Sequence, residues 1–143
     1  MIVLFLVRKT NRIEPITALR EGIKTHNFKK NRDIQLSNRK INKAVKNAPS
    51  NIQFPGYVEP IMIKSALCGA DLYIFPTHEE TEGIPIMEAC ACKCKALISD
   101  IGVFKGWLDD EINVYKAKNI DEFETKAKKI INGELPDLTE EAY

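Results

Sequence analysis

Two histidines, four cysteines and the lack of any long apolar run set the first limits on this 143-residue chain. His26 and His78 lie far apart in sequence, while Cys90, Cys92 and Cys94 alternate within five residues. Helical residues two apart do not face each other, and no second cluster of ligand-type residues accompanies them, so the spacing argues against a metal site. It makes no disulfide framework either. With Cys68 read as a core residue, the chain reads as reduced and cytosolic. The opening, Met1 to Val7, is apolar with no basic region before it. It is too short for a signal peptide or a membrane span and reads as a β-strand. Repeats, low-complexity blocks and domain linkers are also missing, so residues 1–143 are assigned to one domain.

With 44% hydrophobic and 29% charged residues, the chain has enough apolar material for the core of one soluble globular domain. The net charge of +1 hides an uneven distribution. Residues 1–50 carry 12 Lys/Arg against 3 Asp/Glu, a balance of +9, and residues 51–143 carry 9 against 17, a balance of −8. A basic half can meet phosphate, nucleic acid or an anionic lipid surface, or it can simply form solvated helix faces. No aromatic platform or nucleic-acid motif stands beside the charge, so nucleic acid is not an expected partner.

Strand and helix signals alternate along the chain. Ile16 to Phe28 has modest helical periodicity after Pro15, 29–39 reads as a basic loop, and Ile41 to Lys46 as a short helix. Asn51 to Phe54 reads as a strand closed by Pro55 and Gly56. Ile61 to Cys68 is expected as a helix with its apolar residues in one stripe, ending at Gly69. Ala70 to Phe75 reads as a short strand buried on both faces, and Lys95 to Ser99 as the next strand with Ala96, Leu97 and Ile98 as its core. Val103 to Trp107 is expected as a short helix and Val114–Tyr115 as a short strand. Asp121 to Asn132 is expected as an amphipathic helix that buries Phe123, Ala127, Ile130 and Ile131 and stops at Gly133. Pro136 begins a tail with weak signals. The fold class is α/β: a Rossmann-like, mainly parallel sheet flanked by helices.

The chemistry concentrates between Pro76 and Ala91. There a strand ends at Pro76, an acidic loop follows, and Pro85 suits the first turn of a helix because its missing N–H has no partner to lose. In an open α/β sheet a ligand sits beyond the carboxyl end of such a strand, against the helix N-terminus. Gly83 has no Cβ and lets backbone approach a ligand, and the free amides of Gly83 and Ile84 favour an anion such as a diphosphate. Glu80 and Glu88, with seven residues between them, flank this turn. A carboxylate such as Glu88 accepts well from a pair of sugar hydroxyls. Anion donors beside hydroxyl acceptors describe a nucleotide-sugar. The ordinary alternatives are surface charge for the two glutamates, a partly exposed loop position for His78, and a packing role for Trp107. Glu79 and Glu82 would repel a diphosphate and should point away from it or pair with a cation.

The run Glu80-Thr81-Glu82-Gly83-Ile84-Pro85-Ile86-Met87-Glu88-Ala89 resembles the E-x7-E motif of the family 4 retaining glycosyltransferases, where it lies in the carboxyl-terminal half of a two-domain GT-B fold. Phe54-Pro55-Gly56-Tyr57-Val58, Gly69-Ala70-Asp71-Leu72, Phe75-Pro76, Asp100-Ile101, Phe104 and Trp107-Leu108 extend the likeness over residues 51–138. In order, they resemble the bacterial diacylglycerol glucosyltransferases. The resemblance implies a UDP-sugar substrate of the UDP-glucose type, no cofactor and no donor-site metal. It gives Glu80 the hydroxyls of the transferred sugar and the charge developing on it. Gly83, Ile84 and Pro85 belong to the donor-binding turn, with the Gly83 and Ile84 amides presented to sugar or diphosphate, and Glu88 holds the ribose. By position, Arg8 and Lys9 are the candidate diphosphate contacts, although the family's spacing between its basic pair is not reproduced. Lys93 and Lys95 also stand where the general family commonly has glycine and proline.

A GT-B enzyme of this kind implies an amino-terminal acceptor domain. The chain is therefore expected to be a donor half, inactive in transfer by itself, whose full-length protein works on a lipid acceptor at an anionic, cytoplasmic membrane face. The competing expectation is a non-catalytic module that keeps the fold without the chemistry.

Overall fold

The computed structural model describes residues 5–7, 42–43, 45–48, 52 and 59–143. The elements run β1 (Phe5–Val7), α1 (Pro60–Cys68), β2 (Leu72–Phe75), α2 (Ile84–Ala91), β3 (Ala96–Ser99), a 3-10 turn (Gly102–Phe104), β4 (Tyr115–Ala117), α3 (Ile120–Asn132) and α4 (Thr139–Ala142). One four-stranded sheet has the order β1-β2-β3-β4. β2, β3 and β4 are parallel, and β1 is antiparallel to β2. This is the α/β, Rossmann-like arrangement expected from the alternation of signals.

The period of two along each strand divides the core. Leu72, Ile74, Leu97, Tyr115 and Ala117 pack with Phe123, Ala127 and Ile130 of α3 on one face. Tyr73, Phe75, Ala96 and Ile98 pack with Leu67 of α1 and with Ile86, Ala89 and Cys90 of α2 on the other. A short continuous apolar run is therefore right for each parallel strand, because both of its faces are covered.

α3 matches its sequence signals closely. The Asn119 side chain caps it by accepting from the Glu122 amide at 3.0 Å, and Gly133, at φ 74°, closes it in the left-handed conformation that glycine adopts without strain.

Other elements depart from expectation. α1 does not bury one stripe: Leu67 is buried and Ile63 half-buried, while Ile61 and Met62 are 68% and 57% exposed. The helix after the loop starts at Ile84, one residue before Pro85. Val103 to Trp107 shortens to the 3-10 turn, and the fourth strand lies at Tyr115–Ala117, with Val114 bridging Asp110 instead of opening it. The tail after Pro136 is ordered. Tyr115 Oη donates to Pro136 O at 2.7 Å, Lys95 pairs with Asp137 at 3.1 Å and Lys93 with Glu140 at 2.7 Å. These partners are far apart in sequence and leave no local periodicity. Met1–Leu4, Ile16–Phe28, 29–39 and the Asn51–Phe54 strand, Ile52 apart, lie outside the described residues. Of the short helix expected at 41–46, residues 42–43 and 45–46 are helical.

The cysteines are free, and Cys68 is exposed rather than part of the core. It is the last residue of α1. Burial, with the Cys92 and Cys90 thiols beside it, pushes the Cys94 thiol up to about 12, and burial also raises Cys90. Since the thiolate is the nucleophile, iodoacetamide at neutral pH should alkylate Cys68 first and reach Cys90 and Cys94 only after unfolding. Peptide mass spectrometry over a labelling time course checks the order.

Candidate functional site

At the carboxyl edge of the sheet Phe75, the last residue of β2, is paired with Ile98, one residue before the end of β3. The loop from Pro76 to Gly83 leaves β2 at this carboxyl edge, and α2 starts from it. Thr77 Oγ1 donates to Glu79 O at 2.8 Å, which turns the chain just past the strand. Glu80 is half-buried, and its Oε1 accepts the Thr81 amide at 2.8 Å. His78, Glu79 and Glu82 are exposed.

Gly83 makes the turn possible. It is the residue before the helix, at φ 70° and ψ 29°, and its carbonyl accepts the Ile86 amide at 2.8 Å. A Cβ there would lie 2.9 Å from Phe104 Cε1, 3.4 Å from Ile86 Cδ1 and 3.5 Å from Trp107 Cη2. The space that its missing side chain frees is thus filled by the two aromatic rings, not left open to a ligand on that side. What remains for a ligand is the backbone: neither the Gly83 nor the Ile84 amide has an acceptor among the described residues. Pro85, half-buried in the first turn, has no amide to offer.

The aromatic support is itself held. Phe104 is fully buried and meets Trp107 edge-on, with centroids 5.8 Å apart and ring planes at 70°. Trp107, 39% exposed, donates its indole N–H to Val103 O at 2.8 Å. Asn113 Nδ2 donates to Trp107 O at 2.8 Å, and Asn113 Oδ1 accepts the Asp109 amide at 2.8 Å. Trp107 is therefore a packing strap over the Gly83 turn.

Glu88 is exposed on α2, past its first turn. Under the helix lies a residue that the motif does not name. Tyr73 is 0% exposed, its ring stacks on Phe75 with centroids 5.9 Å apart, and its hydroxyl has no hydrogen-bond partner among the described residues. Burial first, then the charges of Glu88 and Glu80 and a smaller contribution from Cys94, push this phenol far above its ordinary range. Both carboxylates thus lie within electrostatic reach of one buried hydroxyl. The signal in the sequence was a tyrosine in an apolar strand, whose phenol needs a partner once buried.

The structure accordingly brings Glu80, Gly83, Ile84, Pro85 and Glu88 to one edge of the sheet. Arg8 and Lys9 lie outside the described residues; Val7, the last described residue of β1, is paired with Leu72 at the amino end of β2, away from Gly83. No three His, Cys, Asp or Glu side chains converge as metal ligands among the described residues. None of the described helices is long and apolar enough to cross a membrane.

A mainly parallel sheet with flanking helices is the architecture of an α/β, Rossmann-like half of a GT-B fold, and the family comparison is consistent with that architecture. The family model described as "Glycosyl transferases group 1" matches residues 37–142, well over half of the chain, and the chain belongs to this family. Among curated proteins, the chain is 39% identical over 103 residues to the processive diacylglycerol alpha-glucosyltransferase of Acholeplasma laidlawii, covering 72% of this chain and 31% of that protein. It is 31% identical over 61 residues to the alpha-galactosylglucosyldiacylglycerol synthase of Streptococcus pneumoniae, covering 43% of this chain and 16% of that protein. The matched stretches therefore span about a third or less of the curated relatives' own length.

Proposed function

We propose that this chain is the donor-binding half of a retaining glycosyltransferase, holding a UDP-sugar of the UDP-glucose type against the Gly83 turn. The full-length protein would transfer the sugar to a membrane lipid such as diacylglycerol. The observation that carries this reading is the pair Glu80 and Glu88 flanking in sequence two amides, those of Gly83 and Ile84, that have no acceptor among the described residues. The Gly83 and Ile84 amides, with the positive end of the helix dipole, suit the sugar or the diphosphate. Glu88 suits the vicinal ribose hydroxyls. Glu80 accepts from hydroxyls of the sugar, and its negative charge opposes the positive charge that builds as UDP departs. To do so it must exchange the Thr81 amide for the ligand, a local rotation of one side chain.

Titration calorimetry with UDP tests the reading. The 143-residue chain should bind UDP, and Glu88→Ala should weaken binding by about tenfold or more, the loss expected when a charge-assisted pair of hydrogen bonds is removed. A folded chain without UDP affinity would sink the proposal. Transfer is a separate matter, since an acceptor has to be held in line with the sugar. With saturating UDP-glucose and diacylglycerol vesicles, these residues alone are expected to form no glycolipid.

A further inference from the structure

α1 and α2 pack against each other, and each finishes on a cysteine. Cys68 is the last residue of α1 and is exposed, while Cys92 caps α2 and is half-buried. Cys92 Sγ lies 3.9 Å from Lys64 O. That carbonyl belongs to the last turn of α1, where an α-helix aims it at the amide four residues on, the amide of Cys68. A helical side chain leans toward the amino end of its helix and covers the turn before its own Cα. The Cys68 side chain therefore leans back over the turn that Cys92 touches. The character of the Cys92 thiol agrees: burial raises it first and the Cys68 thiol facing it raises it next, while the Lys64 ammonium opposes both. Cys90 and Cys94 are set apart, because both are buried and burial raises both thiols. The accessible pair is Cys68 and Cys92.

We propose that Cys68 and Cys92 form a dithiol modification site: a small-molecule disulfide such as oxidised glutathione converts the pair to an intramolecular disulfide that clamps the end of α1 to the end of α2. The exposed Cys68 thiolate attacks one sulfur of the oxidant, which forms a mixed disulfide and releases one glutathione thiolate. The Cys92 thiol gives its proton to water. Its thiolate then attacks the Cys68 sulfur, forming the Cys68–Cys92 bond and expelling the second glutathione. Two protein thiols are oxidised, and one disulfide is reduced to two thiols. The cysteines stand 24 positions apart, so the bridge closes a loop that holds β2, the Gly83 turn and α2. Closing such a loop restricts the unfolded chain and stabilises the folded one. In a reducing compartment the site rests as the free dithiol and responds reversibly to disulfide stress. It lies at the opposite end of α2 from the Gly83 turn and stands independently of the donor-site reading.

The test is oxidation of the folded, reduced 143-residue chain with oxidised glutathione, followed by digestion at glutamates under non-reducing conditions. Such digestion separates Cys68 from the other three cysteines, so a bridge shows in mass spectrometry as two joined peptides. Fragmentation of the joined pair should assign the partner of Cys68 to Cys92. The oxidised chain should melt about 5 °C or more above the reduced one, and dithiothreitol should reverse both changes. Cys92→Ser should stop at a glutathione adduct on Cys68 and gain no thermal stability. In wild type, a lasting glutathione adduct on Cys68, a bridge to Cys90 or Cys94, or a bridge that forms only in denaturant would each overturn the inference. So would a disulfide between two chains, or a bridged chain that melts no higher than the reduced one.

Discussion

Gly83→Ala should unfold about 10 °C below the parent chain, a large loss for the addition of one methyl group. Two separate causes combine. At φ 70° the backbone is left-handed, which costs a residue with a Cβ about 1–2 kcal/mol. The new methyl would also stand 2.9 Å from Phe104 Cε1, too close for any real contact, and that ring is fully buried and cannot swing away. Forcing such a core to give costs about 1–3 kcal/mol more. The combined loss of about 2–5 kcal/mol is a sizeable part of the 5–15 kcal/mol that holds an ordinary domain together. UDP affinity should fall as well, because the turn that aims the Gly83 and Ile84 amides is the part that must shift. Circular dichroism melting and calorimetry on the same sample check both effects.

This double role of Gly83 shows what could be read from the chain and what could not. The glycine, the two glutamates and the strand–loop–helix order were all visible, because each depends on local patterns: the apolar run of Ala70 to Phe75, whose strand begins at Leu72, the breaker at Pro76 and the helix start around Pro85. The parallel sheet followed from the alternation of such units, and α3 from its capping residue, its periodicity and Gly133. The reason the turn needs glycine was not visible. It depends on Phe104 and Trp107, some twenty residues further on, which reach back over the turn. Cys68 was misplaced for a similar reason: a cysteine is apolar enough for a core, but its place on α1 turns it outward while Leu67 turns in. The tail after Pro136 has little periodicity of its own and is ordered by Tyr115, Lys95 and Lys93. Tyr73 was read correctly as strand, but that α2 would cover it and leave its hydroxyl without a partner among the described residues depends on packing between elements.

Phe104→Ala is the other substitution with a large expected effect, and it interacts with the first. Phe104 is 0% exposed and joins the core formed by α1, α2 and the strands. Truncating a buried phenylalanine costs about 3–5 kcal/mol, part of it lost transfer free energy and part the cavity left behind. Its neighbours limit any collapse into the space: Trp107 is tied to Val103 O and, through its carbonyl, to Asn113. The single variant should therefore melt more than 10 °C below the parent, by the scaling for a chain of this size. The double variant Gly83→Ala/Phe104→Ala should not suffer the sum of the two losses. Removing the ring removes the 2.9 Å obstacle, so only the backbone cost at Gly83 remains to be added, and the coupling should amount to about 1–3 kcal/mol in the favourable direction. Denaturant melts of the four proteins measure that coupling directly. Strict additivity would mean that Phe104 does not enforce the glycine and that the left-handed backbone alone accounts for it.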